Sequence, residues 1–218
     1  MPDNVIILGG KGTGTGIADA IKSAEGKTNW KIVGFLNDLV PEGSLINGFP
    51  VLGGLKDSAV FIQKGYYFIN TILRIDGQQA RINLIKSLQI PEKQWATFIH
   101  PMAYVAPSVK IGAGCVIMPH ASVSAESVLG NCTLVMPGAV ITHDVLVGSF
   151  CRFGSNCSIA GYVTIADGVH ISLNSSVREN CKIGLNSSLG MGSALLENIG
   201  EEEIWAGVPA KFIRKALP

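Results

Sequence analysis

The chain has 218 residues, enough for one large domain or two small ones. Its apolar share of 47% and charged share of 15% favour extensive burial over disorder, and a formal net charge of +1 gives no electrostatic reason to expect nucleic acid. No run of 18 apolar residues is present to cross a membrane, and the start Met1-Pro2-Asp3-Asn4 lacks the basic and apolar segments of a signal peptide, so a cytoplasmic protein is expected.

The first elements alternate strand and helix. Asn4–Leu8 (NVIIL) reads as a buried strand, Gly9–Gly16 as a glycine-rich loop, and IADAIKSA (17–24) as a helix. Lys31–Leu36 is a second strand, Leu55–Gln63 is helical, Tyr67–Asn70 is strand-like, and Gly77–Leu88 is helical. This alternation predicts a small α/β (Rossmann-like, parallel-sheet) domain over residues 1–97. The loop, with Gly10, Gly12, Thr13 and Gly14, sits between strand and helix, where backbone N–H groups can meet a phosphate. It matches neither the GxGxxG fingerprint nor the Walker A pattern, so NAD and ATP are not expected. A glycine turn that only lets strand and helix pack tightly is the other reading. Asp38 ends the second strand, where a carboxylate can hold a ribose hydroxyl or serve as an ordinary turn residue.

From Val105 to Gly200 the chain divides into 16 unbroken hexads, each opening on Val, Ile, Leu or Phe. The fifth position is mostly small, and Gly recurs at the second. A period of six with one apolar and one small position fits short strands turning a corner, three hexads to a triangular coil, and therefore a left-handed parallel β-helix of about five coils over residues 98–218. Apolar side faces invite packing against identical copies, and a closed ring of three satisfies them. Four of the five cysteines occupy fifth positions, pointing inward, and their odd number argues against a disulfide framework.

Same-face positions on such a prism differ by multiples of 18. No two of His100, His120, His143 and His170 do so, and no metal is expected. His143 is third in its hexad, and Gly161, 18 residues on, is third in its own. Stacked coils bring their backbones to roughly 4.8 Å. An imidazole base would then stand beside an unobstructed N–H, the two groups acyl transfer needs for proton removal and for the oxyanion. Asp144 follows as a partner for the ring. After the last coil, Gly207 and Pro209 shape an extended turn, and Lys211, Arg214 and Lys215 offer cations to a phosphate-bearing ligand or form a solvated basic tail.

The glycine loop with IADAI, GFLND (34–38), GFPVLGG (48–54), IHPMAYV (99–105), ITHDVLVG (141–148) and AGVPAK (206–211) together resemble the hexapeptide-repeat sugar acetyltransferases. The resemblance is to the subgroup of sialic acid O-acetyltransferases and UDP-4-amino-sugar N-acetyltransferases, over nearly the whole chain. It implies a homotrimer with acetyl-CoA as co-substrate between adjacent prisms. His143 would be the catalytic base with Asp144 beside it. Arg152, Gly161, Gly190, Gly207 and Lys211 would lie on the acetyl-CoA side. Gly10, Gly12, Thr13, Gly14, Asn37 and Asp38 would hold a nucleotide sugar. Thr13, Asn37 and Arg152 depart from the family's usual residues. The expected reaction is acetylation of the amine of a nucleotide-linked amino sugar. Rivals are O-acetylation of a free sugar such as sialic acid, a non-catalytic β-helix binding protein, and a metal-dependent hydratase on the same prism.

Overall fold

A computed structural model describes residues 2–218. The N-terminal part is a three-stranded parallel sheet ordered β2-β1-β5, from β1 (Asp3–Leu8), β2 (Trp30–Leu36) and β5 (Tyr67–Asn70). Helices α1 (Thr13–Ser23), α2 (Ser58–Gln63) and α3 (Gln78–Ser87) connect and cover it. Helix α1 begins four residues earlier than the apolar pattern suggests. Gly12, at φ 85, turns the chain into it, and the polar Thr13–Gly16 turn carries no hydrophobic period to reveal it. A short hairpin, β3 (Leu45–Ile46) with β4 (Phe49–Pro50), was not expected from the sequence, its strands being too short to show an alternation.

The remainder is the expected left-handed parallel β-helix, with two-residue strands on three faces. It makes about six turns rather than five. Phe98–Ile99, ahead of the first hexad counted from Val105, already pairs in parallel with Val116–Ile117 and is the first rung of the prism. The first-position aliphatics and fifth-position small residues fill one interior: Ile117, Val123, Ile141, Phe153, Ile159, Cys151 and Cys157 are all buried there. Burial of each large aliphatic contributes about 1.5–3 kcal/mol. All five cysteines are free and buried.

Two backbone features set the period of six. Fourth-position residues turn the corners in the left-handed conformation, among them Asp144 (φ 56), Asn156 (φ 58), Tyr162 (φ 62) and Gly168 (φ 70). Second-position glycines permit close stacking: a Cβ on Gly154 would lie 2.6 Å from the Leu173 backbone nitrogen of the next coil. That glycine therefore answers to coil-to-coil contact rather than to φ.

The α/β part docks on the prism face carrying Phe98, Val116 and Leu134. These side chains share a core with Val5, Ile7, Ile17 and Phe35. Cys132 and Phe150, on the adjoining edge, pack with Ile6, Leu8, Ile82 and Ile85. Polar bonds across the junction run from Gln78 Nε2 to the Phe150 carbonyl (3.3 Å) and from Asn186 Nδ2 to Gln79 Oε1 (3.0 Å). The prism ends in an antiparallel pair, Glu203–Gly207 with Ala210–Lys215. Its last residues return to the α/β part, where Arg214 grips Asp76 through two bonds of 2.9 and 2.8 Å. No helix among the described residues is long and apolar enough to cross a membrane.

Candidate active site

His143 lies on the prism edge between strands Val140–Ile141 and Leu146–Val147, and Gly161 lies on the same edge one coil further. A Cβ built on Gly161 would sit 2.6 Å from His143 Cε1 and 3.0 Å from Nε2, so the imidazole occupies the space a side chain there would take. The left-handed turn at Asp144 swings its carboxylate back onto the ring, where Oδ2 meets His143 Nδ1 at 2.8 Å. That leaves Nε2 for chemistry. The side chain of His143 is 54% exposed, open to a substrate.

The Gly161 amide has no partner among the described residues. Third-position amides stand outside the coil-to-coil ladder. On a neighbouring edge three of them are capped by the next coil's side chain: Ala113 N–H donates to Asn131 Oδ1, Asn131 N–H to Ser149 Oγ, and Ser149 N–H to Asp167 Oδ1. On the His143 edge, Gly161 is buried, and its N–H has no acceptor among the described residues. A buried, unpaired N–H beside a base is the donor that a developing oxyanion needs.

Gly10, Thr13, Asn37 and Asp38 line a single cavity of about 430 Å³ at the end of the parallel sheet. Gly12 and Gly14 are not part of its lining. Gly12 makes the turn into α1, while Gly14 packs under Phe35, where a Cβ would approach Cε1 to 3.2 Å. Asn37 is occupied within the chain, donating to the Gly9 carbonyl (2.9 Å) and accepting from Leu39 and Val40 N–H. Asp38 Oδ1 accepts from Leu55 N–H (2.7 Å). Two residues not singled out in the sequence, Arg74 and Arg81, line the same cavity, as does Lys11. No ion pair among the described residues uses either arginine. Arg81 donates to the Asp76 and Gly77 carbonyls, and burial, together with the neighbouring Arg74 charge, disfavours its cationic form. Asp38 lines the same cavity and the Asp76 charge partly offsets the repulsion at Arg81, but neither guanidinium is held by a carboxylate, which leaves both free to meet an anion.

Gly190, Gly207 and Lys211 gather at the C-terminal end of the prism. Gly190 N–H donates to the Trp205 carbonyl, Gly207 N–H to Ser193 Oγ, and Lys211 Nζ to Glu197 at 2.8 Å. Arg152 lies on the docked face, not on the His143 edge, and pairs in register with His170 on the next coil. Its Nε and His170 Nδ1 are both buried without a partner. Within one protomer, then, Arg152 does not share a site with His143. Burial, assisted by the Arg152 charge, lowers the His170 pKa to about 4. Burial also pushes the Cys151 and Cys157 thiols up to about 12, leaving little thiolate for nucleophilic attack.

The coils, their stacking and this edge define a class: the chain has the left-handed β-helix fold of the hexapeptide-repeat acetyltransferases. No family model matches it. Among solved structures it superposes on PerB of Caulobacter crescentus, in complex with CoA and GDP-perosamine, with a TM-score of 0.83, 23% identity and 97% of each chain covered. It also superposes on the acetyltransferase domain of PglB from Neisseria gonorrhoeae FA1090, in complex with acetyl coenzyme A, with a TM-score of 0.80, 27% identity, and 98% and 100% of the two chains covered. In sequence it is 24% identical over 147 residues to GDP-perosamine N-acetyltransferase of Escherichia coli O157:H7, covering 66% of this chain and 63% of the relative. The chain thus spans less than two thirds of the length of that curated relative.

Proposed function

We propose that the chain is an acetyl-CoA-dependent acetyltransferase acting on the amine of a nucleotide-linked amino sugar. The observation that carries this reading is the His143–Gly161 pair: a base held by Asp144 against an open backbone N–H. The acceptor nitrogen attacks the thioester carbonyl carbon, and its proton passes to His143 Nε2. The Gly161 N–H holds the oxyanion, the C–S bond breaks as the C–N bond stays, and CoA leaves as thiolate. Transfer is direct, since all five thiols are buried and that burial holds them above the ordinary thiol pKa. CoA extends toward the C-terminal end, where Gly190, Gly207 and Lys211 lie.

Residues 1–97 form the nucleotide-sugar-binding part and 98–218 the acyltransferase part. The cavity with Gly10, Thr13, Asp38, Arg74 and Arg81 takes the nucleotide, the arginines its diphosphate. This cationic lining favours a nucleotide sugar over a free sugar such as sialic acid. The cavity belongs to the part docked on one prism face, whereas His143 stands on the edge opposite that face. One protomer therefore cannot present its own bound sugar to its own base. A homotrimer resolves this, with the cavity of one copy facing His143 of the next. In that arrangement Arg152 serves the neighbouring site. The reading places the enzyme in the cytoplasm, where acetyl-CoA is available.

The test is CoA release from acetyl-CoA against a panel of GDP-, UDP- and dTDP-linked 4-amino sugars and free sialic acid. GDP-perosamine, bound by the structural relative, is the first probe. Release dependent on a nucleotide-linked amine supports the reading. Release with sialic acid alone establishes O-acetylation instead, and failure to bind acetyl-CoA removes the enzyme reading.

A further inference from the structure

We infer that Tyr162 is a positioning residue for the His143 imidazole, an inference that rests on the assignment of His143 as base. The rings of His143 and Tyr162 meet edge to face, with centroids 5.3 Å apart and planes at 81°. The backbone holds the two residues in the register common to the corners of the prism, the Tyr162 N–H donating to the His143 carbonyl at 3.4 Å as the Asp144 N–H does to the Ala125 carbonyl at 3.0 Å. Asp144 fixes one ring nitrogen, but a single hydrogen bond leaves the imidazole free to rock about that bond. Contact with a second ring restricts this freedom and keeps Nε2 beside Gly161, where a Cβ would meet it at 3.0 Å.

The backbone beneath Tyr162 gives an independent reason. Tyr162 has φ 62, a conformation that the other corners of the prism largely assign to Gly, Asn or Asp, such as Gly138, Gly168, Asn156, Asn174 and Asp144. A bulky side chain is strained there. Phe150 is the only other Phe, Tyr or Trp in this conformation among the described residues, and its ring is buried in the core that docks the α/β part. Tyr162 has no such anchor and is 58% exposed. Packing in the protomer therefore does not account for a tyrosine at this corner, whereas contact with His143 does. The strained aromatic falls at the corner that also supplies the open Gly161 amide.

This arrangement permits a substitution that separates positioning from structure. Asparagine suits the left-handed backbone better than tyrosine, so Tyr162→Asn relieves strain while removing the ring. Tyr162→Phe keeps the ring and loses only the hydroxyl. The full-length protein would be assayed by CoA release from acetyl-CoA with the acceptor that turns over in the panel above, alongside thermal unfolding and His143→Ala. The expected result is a kcat lowered by roughly tenfold to a hundredfold in Tyr162→Asn. Its KM for acetyl-CoA should stay within about twofold and its Tm equal or exceed wild type, while Tyr162→Phe retains wild-type kcat, for which a contact made by the ring alone suffices. Unchanged kcat in Tyr162→Asn, with His143→Ala inactive, overturns the role of Tyr162 and leaves the base intact. A joint fall of Tm and kcat in Tyr162→Asn shows a structural role only, and equal loss in Tyr162→Phe transfers the effect to the hydroxyl; either overturns the inference. If His143→Ala keeps wild-type turnover, the base assignment fails first and this inference with it.

Discussion

The imidazole of His143 fills the space where Gly161 would carry a side chain: a Cβ at 161 would lie 2.6 Å from Cε1. The imidazole and the unpaired amide are therefore one feature, made by stacking equivalent corners of successive coils. Gly161 is not in the left-handed region, so its backbone accepts alanine and only the ring is displaced. Gly161→Ala is expected to lower kcat by roughly a hundredfold or more while Tm changes little. Steady-state CoA release and thermal unfolding on the same preparation check this.

Asp144 holds the ring by its Nδ1, at 2.8 Å, from a corner residue with φ 56. Asparagine keeps that backbone but no longer fixes the proton on Nδ1. Asp144→Asn is expected to lose at least about tenfold in kcat with normal stability and unchanged affinity for acetyl-CoA. Kinetics at saturating acceptor, compared with equilibrium binding of acetyl-CoA, measure the two separately.

Arg74 lines the cavity proposed for the nucleotide and is in no ion pair among the described residues. A charge-assisted hydrogen bond to a diphosphate contributes about 1.5–3 kcal/mol. Arg74→Ala should therefore raise KM for a nucleotide-linked acceptor about tenfold to a hundredfold and leave KM for acetyl-CoA unchanged. Competition by GDP and by guanosine separates the phosphate contribution from that of the base: only GDP should weaken as an inhibitor.

His170 makes the fold sensitive to mild acid. Burial, then the Arg152 charge, lowers its pKa from the usual 6.5 to about 4. Between those values the unfolded chain takes up a proton that the folded chain refuses, so stability falls as pH drops through this window and is complete above it. His170→Gln should flatten the fall of Tm between pH 6.5 and 4 relative to wild type, as read by thermal unfolding across that range.

Much of this was legible in the residues because the hexads impose their own geometry. A spacing of 18 places His143 over Gly161 whatever surrounds them, and one buried aliphatic per hexad announces the prism interior. The docking of the α/β part was not legible in the same way. Val116 and Leu134 point outward from sixth positions, and an outward apolar residue reads the same whether it meets another domain or another copy. Phe98–Ile99 escaped as the first rung although its hexad, IHPMAY, opens on Ile99 and carries the small Ala103 in fifth place. In the N-terminal part Gly10 and Thr13 of the loop line the cavity, but Gly12 and Gly14 do not, for reasons of turn and close contact that spacing does not encode. Arg74 and Arg81 gave no local signal; the fold brings them to the glycine loop from beyond β5.

The most direct test of the account is acetyl transfer from acetyl-CoA to GDP-perosamine and the other nucleotide-linked amino sugars, followed by CoA release, in wild type and His143→Ala. The account predicts acceptor-dependent release by wild type that falls by roughly 10²–10⁴ in His143→Ala, with acetyl-CoA binding retained. Turnover by His143→Ala within a few-fold of wild type would contradict it.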